Sequence, residues 1–590
     1  MATSSKAFLF SAMTQSAFIL LDDQLSGQSR FYENPVEIIQ AFTPDELLGA
    51  IKTIQDRLDA GWFIAGYISY EAGLVLEPKL NPRFQQSTEP LLIMGVFDNW
   101  SSNYPEPPCE VAPRLDLKPD WQENDYIERF KKVIDYIKAG DIYQVNLTFP
   151  LTCEYSGSAL CLYDTLRARQ PVHYGGVISL GGPDIVSFSP ELFFDKEGDK
   201  ITMRPMKGTV KRLLDPSDDL ALCEAMRHDE KSMAENLMIV DLLRNDLSRI
   251  AEKASVNVPH LFSLETYPTL HQMTSTVTAE LPSDISALDL FKNLFPCGSV
   301  TGAPKIRAME IIDDLESGPR GPYCGAIGYM DPSGKACFNV AIRTAILSNN
   351  QLRYHVGSGV VLDSDVRAEY EECLLKAKVL SDIPSLVETF RWDPENGIIR
   401  RKRHFARLAN SARSLGYEFN EVKLQTALQT IAATSPQKCR LILSENGSVS
   451  IEQSELIEFT APVRLSLSQH PLSLRVQEYR HKVLARDFYD GERARLAALT
   501  GCDEAIFLNP DGEICEGSFT TIFALIEDEL FTPPLSSGLL PGILRAELVE
   551  TGKASQKILG LDDLKKASEI YVGNSLRGLM TAQFLDFEAH

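Results

Sequence analysis

The residues best suited to chemistry in this chain are lysines and carboxylates set beside glycine turns. Lys207 lies in Arg204-Pro205-Met206-Lys207-Gly208-Thr209, where proline and glycine bracket a predicted turn after a strand over Lys200 to Met203. A lysine nucleophile must shed its proton, which burial or nearby positive charge favours, and Arg204, Lys211 and Arg212 are close in sequence. The plain alternative is a solvated loop lysine. Glu235 stands on a predicted buried helix, and Glu369 and Glu372, three residues apart, share one helix face. A few carboxylates that leave room for water and substrate suit Mg²⁺, although acids on a helix often only face solvent. Two glycine turns, Gly298 to Lys305 and Gly357-Ser358-Gly359, bring main-chain amides within reach of a carboxylate, or are simple connections.

Those residues need elements to hold them. Tyr104 to Pro119 is rich in proline and reads as an extended connector. An amphipathic helix follows, with Tyr126, Phe130, Val133, Ile134 and Ile137 on one face and a stop at Gly140. A helix is predicted to start at Lys305. Another runs over Val366 to Leu380, and Ser381-Asp382-Ile383-Pro384 then breaks the chain. A strand over Leu386 to Trp392 and a helix from His404 to Leu415, stopped by Gly416, begin a second module. The organisation expected is residues 1–119 as a first part, 120–381 as a catalytic domain and 386–590 as a separate domain, in a mixed α/β (α+β) chain. Each module is long enough for its own core.

The chain has 590 residues and a formal charge of −23, with no basic stripe that would follow a phosphate backbone, so nucleic acid is excluded as a partner. Eleven scattered cysteines without zinc spacing read as free thiols in a reducing compartment. The N-terminal stretch lacks a signal-peptide profile, and no apolar run is long enough to span a bilayer. The expectation is a cytoplasmic protein without a membrane partner.

Taken in order, the motifs from about Asp120 to Ser381 resemble the chorismate-utilising enzymes, the family of anthranilate, isochorismate and aminodeoxychorismate synthases. The matching stretches include Gly140 to Leu147, Ser189-Pro190-Glu191, Pro205 to Thr209, Glu235 to Asp246, His271 to Ser275, Gly298 to Lys305, Ala341 to Thr344 and Glu369 to Ala377. The resemblance implies a β-sandwich with helices and a Mg²⁺-dependent reaction of chorismate. Within it Lys207 and Asn236 follow the lysine-type aminodeoxychorismate synthases. By that likeness Lys207 attacks C2 of chorismate, Glu191 is general acid/base at the C4 hydroxyl, and His271 assists near the ring. Glu235 and Glu372, with Glu369 close by, hold the metal. Gly302, Tyr329, Arg343, Gly357, Ser358, Gly359 and Lys376 bind carboxylates. Hydroxide is a poor leaving group, so an acid at Glu191 is what the chemistry requires.

The residues from Ile383 to His590 resemble the fold-type IV pyridoxal phosphate enzymes, a class IV aminotransferase-like fold. The likeness rests on Glu388-Thr389-Phe390, Arg403 to Leu408, His481 to Asp490, Glu516-Gly517-Ser518, Gly538 to Arg545 and Gly573 to Gly578. Such a cofactor needs a lysine, a carboxylate at its pyridine nitrogen and a phosphate cup. The resemblance gives Lys482 and Glu516 the first two roles. Arg407, the amides of Ile543 and Leu544, and Ser575 make the cup. Thr521 and Leu544 depart from the asparagine and threonine common at their places.

Together the two likenesses imply synthesis of 4-aminobenzoate, with amination of chorismate followed by elimination of pyruvate. The rivals are a synthase with an inactive C-terminal binding domain, and an anthranilate synthase component fused to an aminotransferase. No cysteine lies in a Gly-x-Cys-x-Gly setting, so ammonia is expected from a separate glutamine amidotransferase subunit. The resemblance leaves room for an oligomer built through the second module.

Overall fold

The computed structural model describes residues 17–86, 88–105, 115–167, 171–211, 213, 216–266, 270–381, 384–459, 462–472 and 481–589. Most of the Pro-rich connector, together with Cys109 and Arg212, lies outside them.

Two antiparallel sheets build the first module. One, nine-stranded among the described residues, joins Phe18–Asp23 and Gln28–Glu33 to Gln144–Glu154, Tyr174–Ser179, Asp184–Ser189, Thr344–Ser348 and Gln351–Val360. The other, ten-stranded, includes Phe63–Ile68, Leu92–Phe97, Leu192–Glu197, Lys200–Arg204, Met206–Lys211, Leu270–Glu280, Ala326–Met330 and Ala336–Val340. Ile19, Tyr32, Ile178 and Ile185 of the first sheet pack with Tyr67, Ile93 and Ile327 of the second in one apolar cluster. The strands before residue 119 are thus woven into both sheets. The connector joins two parts of one core rather than two cores.

Helices close this sandwich. Glu123–Ala139 begins at a Gln122/Asp125 capping box, buries Tyr126, Phe130 and Val133, and ends at Gly140, whose φ of 81° suits glycine. Glu230–Leu247 starts where the Asp229 side chain accepts from the Ser232 amide. Lys305–Leu315 begins at the expected residue. Val366–Ser381 lies against the strand Gln351–Val360.

The second module has a four-stranded sheet, including Leu386–Asp393 and Gln437–Leu443, and an eight-stranded one that carries Ile514–Gly517, Thr521–Ile526 and Glu569–Asn574. Helix Arg401–Ser414 packs Leu408 and Ala412 onto Leu386, Phe390 and Leu441. Among the described residues no helix is long and apolar enough to cross a membrane. Among the described residues nine cysteines carry free thiols, but Cys161 is disulfide-bonded, which departs from the expectation of thiols throughout.

Candidate active sites

Lys207 is not in a turn. It lies on the strand Met206–Lys211, paired with Leu270–Glu280, at a bulge between Lys207 and Thr209. Gly208 takes φ 71° there, and a Cβ on it would stand 2.9 Å from Ser232 Oγ. The bulge is pinned by Gln272, whose Nε2 donates to the Gly208 carbonyl (3.0 Å) while its Oε1 accepts from Thr209 Oγ1 (2.5 Å). Lys207 Nζ lies 3.9 Å from Glu235 Oε2, with both side chains largely buried.

Glycines make this approach fit. A Cβ on Gly359 would stand 3.3 Å from Lys207 Nζ and 2.4 Å from Gln144 Nε2. One on Gly302 would meet the Gln144 carbonyl at 2.2 Å. Gln144 Oε1 and Glu191 Oε1 are buried without hydrogen-bond partners, which leaves two inward oxygens at the site. Burial lifts the Glu191 carboxyl to about 7, against the pull of Ser299 and Lys207. A carboxyl balanced there can give or take a proton near neutrality.

The three metal candidates converge without closing into a ligand set. Burial raises Glu235, Lys207 and Lys231 oppose it, and the charges of Glu369 and Glu372 add to the rise. Glu369 accepts from Ser364 Oγ (2.7 Å). Glu372 pairs with Lys376 at 2.8 Å, and Lys376 also donates to the Gly357 carbonyl (2.8 Å). Ser358 Oγ shares a 3.1 Å hydrogen bond with Tyr126 Oη. Among the described residues no group of three or more acids, histidines or cysteines is drawn together tightly enough to hold a metal alone. Carboxylates spaced in this way suit a cation that takes its remaining ligands from water and substrate.

Arg343 has φ 53°, and its carbonyl accepts from the Phe188 amide (3.0 Å), which ties it to the strand leading to Glu191. Burial lowers the pKa of its guanidinium, and Tyr354 opposes the change. Two expected residues are engaged elsewhere. The buried His271 ring contacts Asp219 (2.9 Å), Thr266 (3.0 Å) and Cys223 (3.3 Å) on the helix and strand flanking it. Tyr329 packs in the apolar cluster between the sheets, with Arg30 4.0 Å above its ring centre. Gln272 was missed, because no sequence pattern announces which residue will pin a bulge.

In the second module a cavity of about 1470 Å³ brings Lys482, Arg407, Glu516, Ser575, Ile543 and Leu544 together. Lys482 is fixed by its carbonyl, which accepts from Val387 N (2.8 Å). Burial, aided by Arg407, brings its amine down to about 7. Glu516 accepts from Tyr489 Oη (2.7 Å) and Leu540 N (3.1 Å), and burial raises it to about 7. Ile543 and Leu544 open the helix Ile543–Glu550, so their amides have no helical acceptor, and both residues line the cavity.

Glu388 organises the cup. It accepts two 2.8 Å hydrogen bonds from Arg407 and lies 2.6 Å from His404 Nδ1, while His404 Nε2 contacts Ser575 Oγ at 2.8 Å. Burial would raise this carboxyl, but Arg407 and His404 outweigh it and hold it at about 2. Glu504, buried behind the site, accepts from Ser518 N (2.9 Å) and Thr520 Oγ1 (2.7 Å) and shapes the turn after Glu516. A near-neutral amine, a buried carboxyl and a cationic cup with helix-start amides form the donor set that pyridoxal phosphate requires. The same cavity is also lined by Thr209, Leu375 and Val379 of the first module.

The sequence profile described as chorismate binding enzyme matches residues 16–382, and that of amino-transferase class IV matches residues 385–583. The aminodeoxychorismate synthase component 1 of Escherichia coli (strain K12) is 43% identical over 269 residues, 45% of this chain and 59% of that protein. Anthranilate synthase component 1 of Thermus thermophilus is 37% identical over 275 residues, 47% of this chain and 60% of the other. The chain spans about three fifths of the length of these curated relatives. The crystal structure of anthranilate synthase component I from Streptococcus pneumoniae TIGR4 superposes with a TM-score of 0.53 at 25% identity, covering 64% of this chain and 95% of that one.

Proposed function

The chain belongs to the chorismate binding enzyme family, and from that premise we propose that it makes 4-aminobenzoate from chorismate and ammonia in two steps, one in each module. The observation that carries the reading is Lys207, an amine held beside Glu235 and Gly359 with the near-neutral Glu191 carboxyl in the same site.

In the first step the Lys207 amine bonds to C2 of chorismate as the C4 hydroxyl leaves. Glu191 gives that hydroxyl its proton, so water departs rather than hydroxide. Ammonia then bonds at C4 and Lys207 leaves from C2, which regenerates the free amine and gives 4-amino-4-deoxychorismate. Glu235 and Glu372, with Glu369 behind them, would hold Mg²⁺ against the ring carboxylate and offset the charge of a dianion entering an acidic protein. Arg343 and the amides around Gly302, Ser358 and Gly359 orient the carboxylates. Lys376 contributes by holding the Gly357 carbonyl. His271 and Tyr329 have no part in this account.

In the second step pyridoxal phosphate, when bound, supplies an electron sink for the carbon carrying the amine. Arg407, Ser575 and the amides of Ile543 and Leu544 would hold its phosphate, with Glu388 and His404 keeping Arg407 and Ser575 in place. Glu516, raised to about 7 by burial, would sit at the pyridine nitrogen and could hold a proton there. The Lys482 amine, near-neutral when free, accepts the C4 proton, and loss of the enolpyruvyl group as pyruvate leaves the aromatic product.

Ammonia would reach the first site from a separate glutamine amidotransferase subunit, a reading supported by likeness to proteins named component 1. The test is product analysis with chorismate, Mg²⁺ and ammonium, with and without pyridoxal phosphate. 4-Aminobenzoate and pyruvate that require the cofactor support both steps. Anthranilate as the product would replace this reading with the anthranilate synthase one.

A further inference from the structure

The cavity that holds Lys482 reaches across the seam between the modules, where Thr209, Leu375 and Val379 of the first module join its lining. Each of the three lies a short step from a residue of the first site. Thr209 is two residues beyond Lys207 on the strand Met206–Lys211, about 7 Å along an extended chain. Leu375 and Val379 stand on the helix Val366–Ser381, which also carries Glu372. Positions 372, 375 and 379 follow the i, i+3, i+7 spacing of one helix face, with Leu375 about 5 Å and Val379 about 10 Å along the axis from Glu372. A strand and a helix thus run separately from the first site to the second cavity. They are joined at the first site by Glu235, whose Oε2 lies 3.9 Å from Lys207 Nζ and whose carboxyl feels the charge of Glu372.

The modules touch directly around this crossing. Gly27 takes φ 71° in the turn between Phe18–Asp23 and Gln28–Glu33, and a Cβ there would stand 3.0 Å from Pro471 Cγ and 3.9 Å from Pro510 Cγ. Helix Pro216–Arg227 packs on Leu270–Glu280, the partner strand of Met206–Lys211, and also lies against helix Asp487–Thr500 of the second module. That second helix brings Tyr489, Asp490 and Arg493 to the cavity.

The lining at the seam suits transit rather than binding. Thr209, Leu375 and Val379 carry no charge, and Thr209 Oγ1 is already committed to Gln272 (2.5 Å). An anion that meets them finds no cation to hold it. Arg407, Arg486 and Lys482 stand in the same cavity on the second module. In a chain of net charge −23, cations gathered in a cleft draw an anion inward.

We propose that the anionic amine made at Lys207 passes directly to Lys482 along the wall formed by Thr209, Leu375 and Val379, without first mixing with the solvent. The inference rests on the two-step reading above and adds the route between the steps.

The test uses the full chain with pyridoxal phosphate, Mg²⁺, chorismate and ammonium, and follows the lag before 4-aminobenzoate appears at its steady rate. The reference is a mixture of Lys207→Ala and Lys482→Ala chains, each at the parent's concentration, in which the intermediate must cross solvent from one chain to another. The parent's lag should be at least tenfold shorter than the mixture's. Leu375 is exposed, so Leu375→Glu places a negative charge on the wall without disturbing a core. It should lengthen the lag at least fivefold, while amination and turnover of supplied 4-amino-4-deoxychorismate, each assayed alone, change less than twofold. Equal lags for parent and mixture, or a Leu375→Glu chain with the parent's lag, overturn the direct transfer and leave the two-step reading standing. A parent chain that forms no 4-aminobenzoate from chorismate and ammonium overturns that reading, and the transfer with it.

Discussion

Glu388 is where the second module is most exposed to a single change. Its carboxylate is almost fully buried, yet it serves Arg407 through two 2.8 Å bonds and His404 through one of 2.6 Å. Between the ordinary value of 4.5 and the value of about 2 imposed by Arg407 and His404 lie roughly 2.5 pH units, and at ~1.4 kcal/mol for each this amounts to about 3 kcal/mol of stability. The native carboxyl is held below its unfolded value, so the unfolded chain takes up the proton first as acid is added. The stabilisation is therefore complete above about pH 5 and drains away towards pH 2. Glu388→Gln removes the charge and leaves Arg407 without its partner, a loss of about 3 kcal/mol at pH 7. The assay is urea unfolding of the loaded chain, followed by cofactor absorption, for parent and variant from pH 7 to pH 3.5. The gap should hold steady down to about pH 5 and shrink by about 1 kcal/mol between pH 4.5 and 3.5. Other carboxyls titrate in the same range but cancel in the difference. A gap that keeps its neutral value at pH 3.5 would refute the assignment of a charged Glu388 to this cup.

Other outcomes follow from the same geometry. Glu191→Gln should cut amination at least a hundredfold, and because the parent acid is lifted to about 7, parent turnover should fall as pH rises above 7 while residual turnover of the variant stays flat. Lys207→Ala should abolish the chorismate-derived mass adduct on the protein and spare pyruvate release from supplied 4-amino-4-deoxychorismate, because Lys207 does not line the second cavity. Gly359→Ala places a Cβ 3.3 Å from Lys207 Nζ and 2.4 Å from Gln144 Nε2, so amination should drop at least tenfold with unfolding unchanged within about 1 kcal/mol. Lys482→Ala should accumulate 4-amino-4-deoxychorismate from chorismate and ammonium and release no pyruvate, a result read by chromatography.

Local rules carried much of the fold. The helix Glu123–Ala139, its buried Tyr126, Phe130 and Val133, and its stop at Gly140 follow from period and capping alone. So do the end of the helix Val366–Ser381 and the helix that opens at Lys305, while Asp382 and Ile383 of the predicted break lie outside the described residues. Lys482, Arg407 and Glu516, each set in a motif legible in the sequence, line one cavity. What failed depends on pairing between distant strands. The proline and glycine around Lys207 signal a turn equally well as a bulge, and only the register with Leu270–Glu280 decides. Neighbouring residues on that strand part company for the same reason: Gln272 pins the bulge, while the His271 ring turns to Asp219. Glu388 reads as an ordinary acid in a strand until His404 and Arg407 arrive from a helix sixteen and nineteen positions later.

The cavity around Lys482 is not wholly the second module's own. Thr209, two positions beyond Lys207, forms part of its lining, and so do Leu375 and Val379, on the helix that carries Glu372. A cut at residue 383 would leave Lys482, Arg407 and Glu516 in the second module but remove part of the lining of their cavity. Leu375, a large apolar side chain left exposed on that helix, then has a reason to be apolar. For this chain the seam visible in the sequence is a seam in the backbone only, because the space where the second reaction would occur is walled from both sides of it.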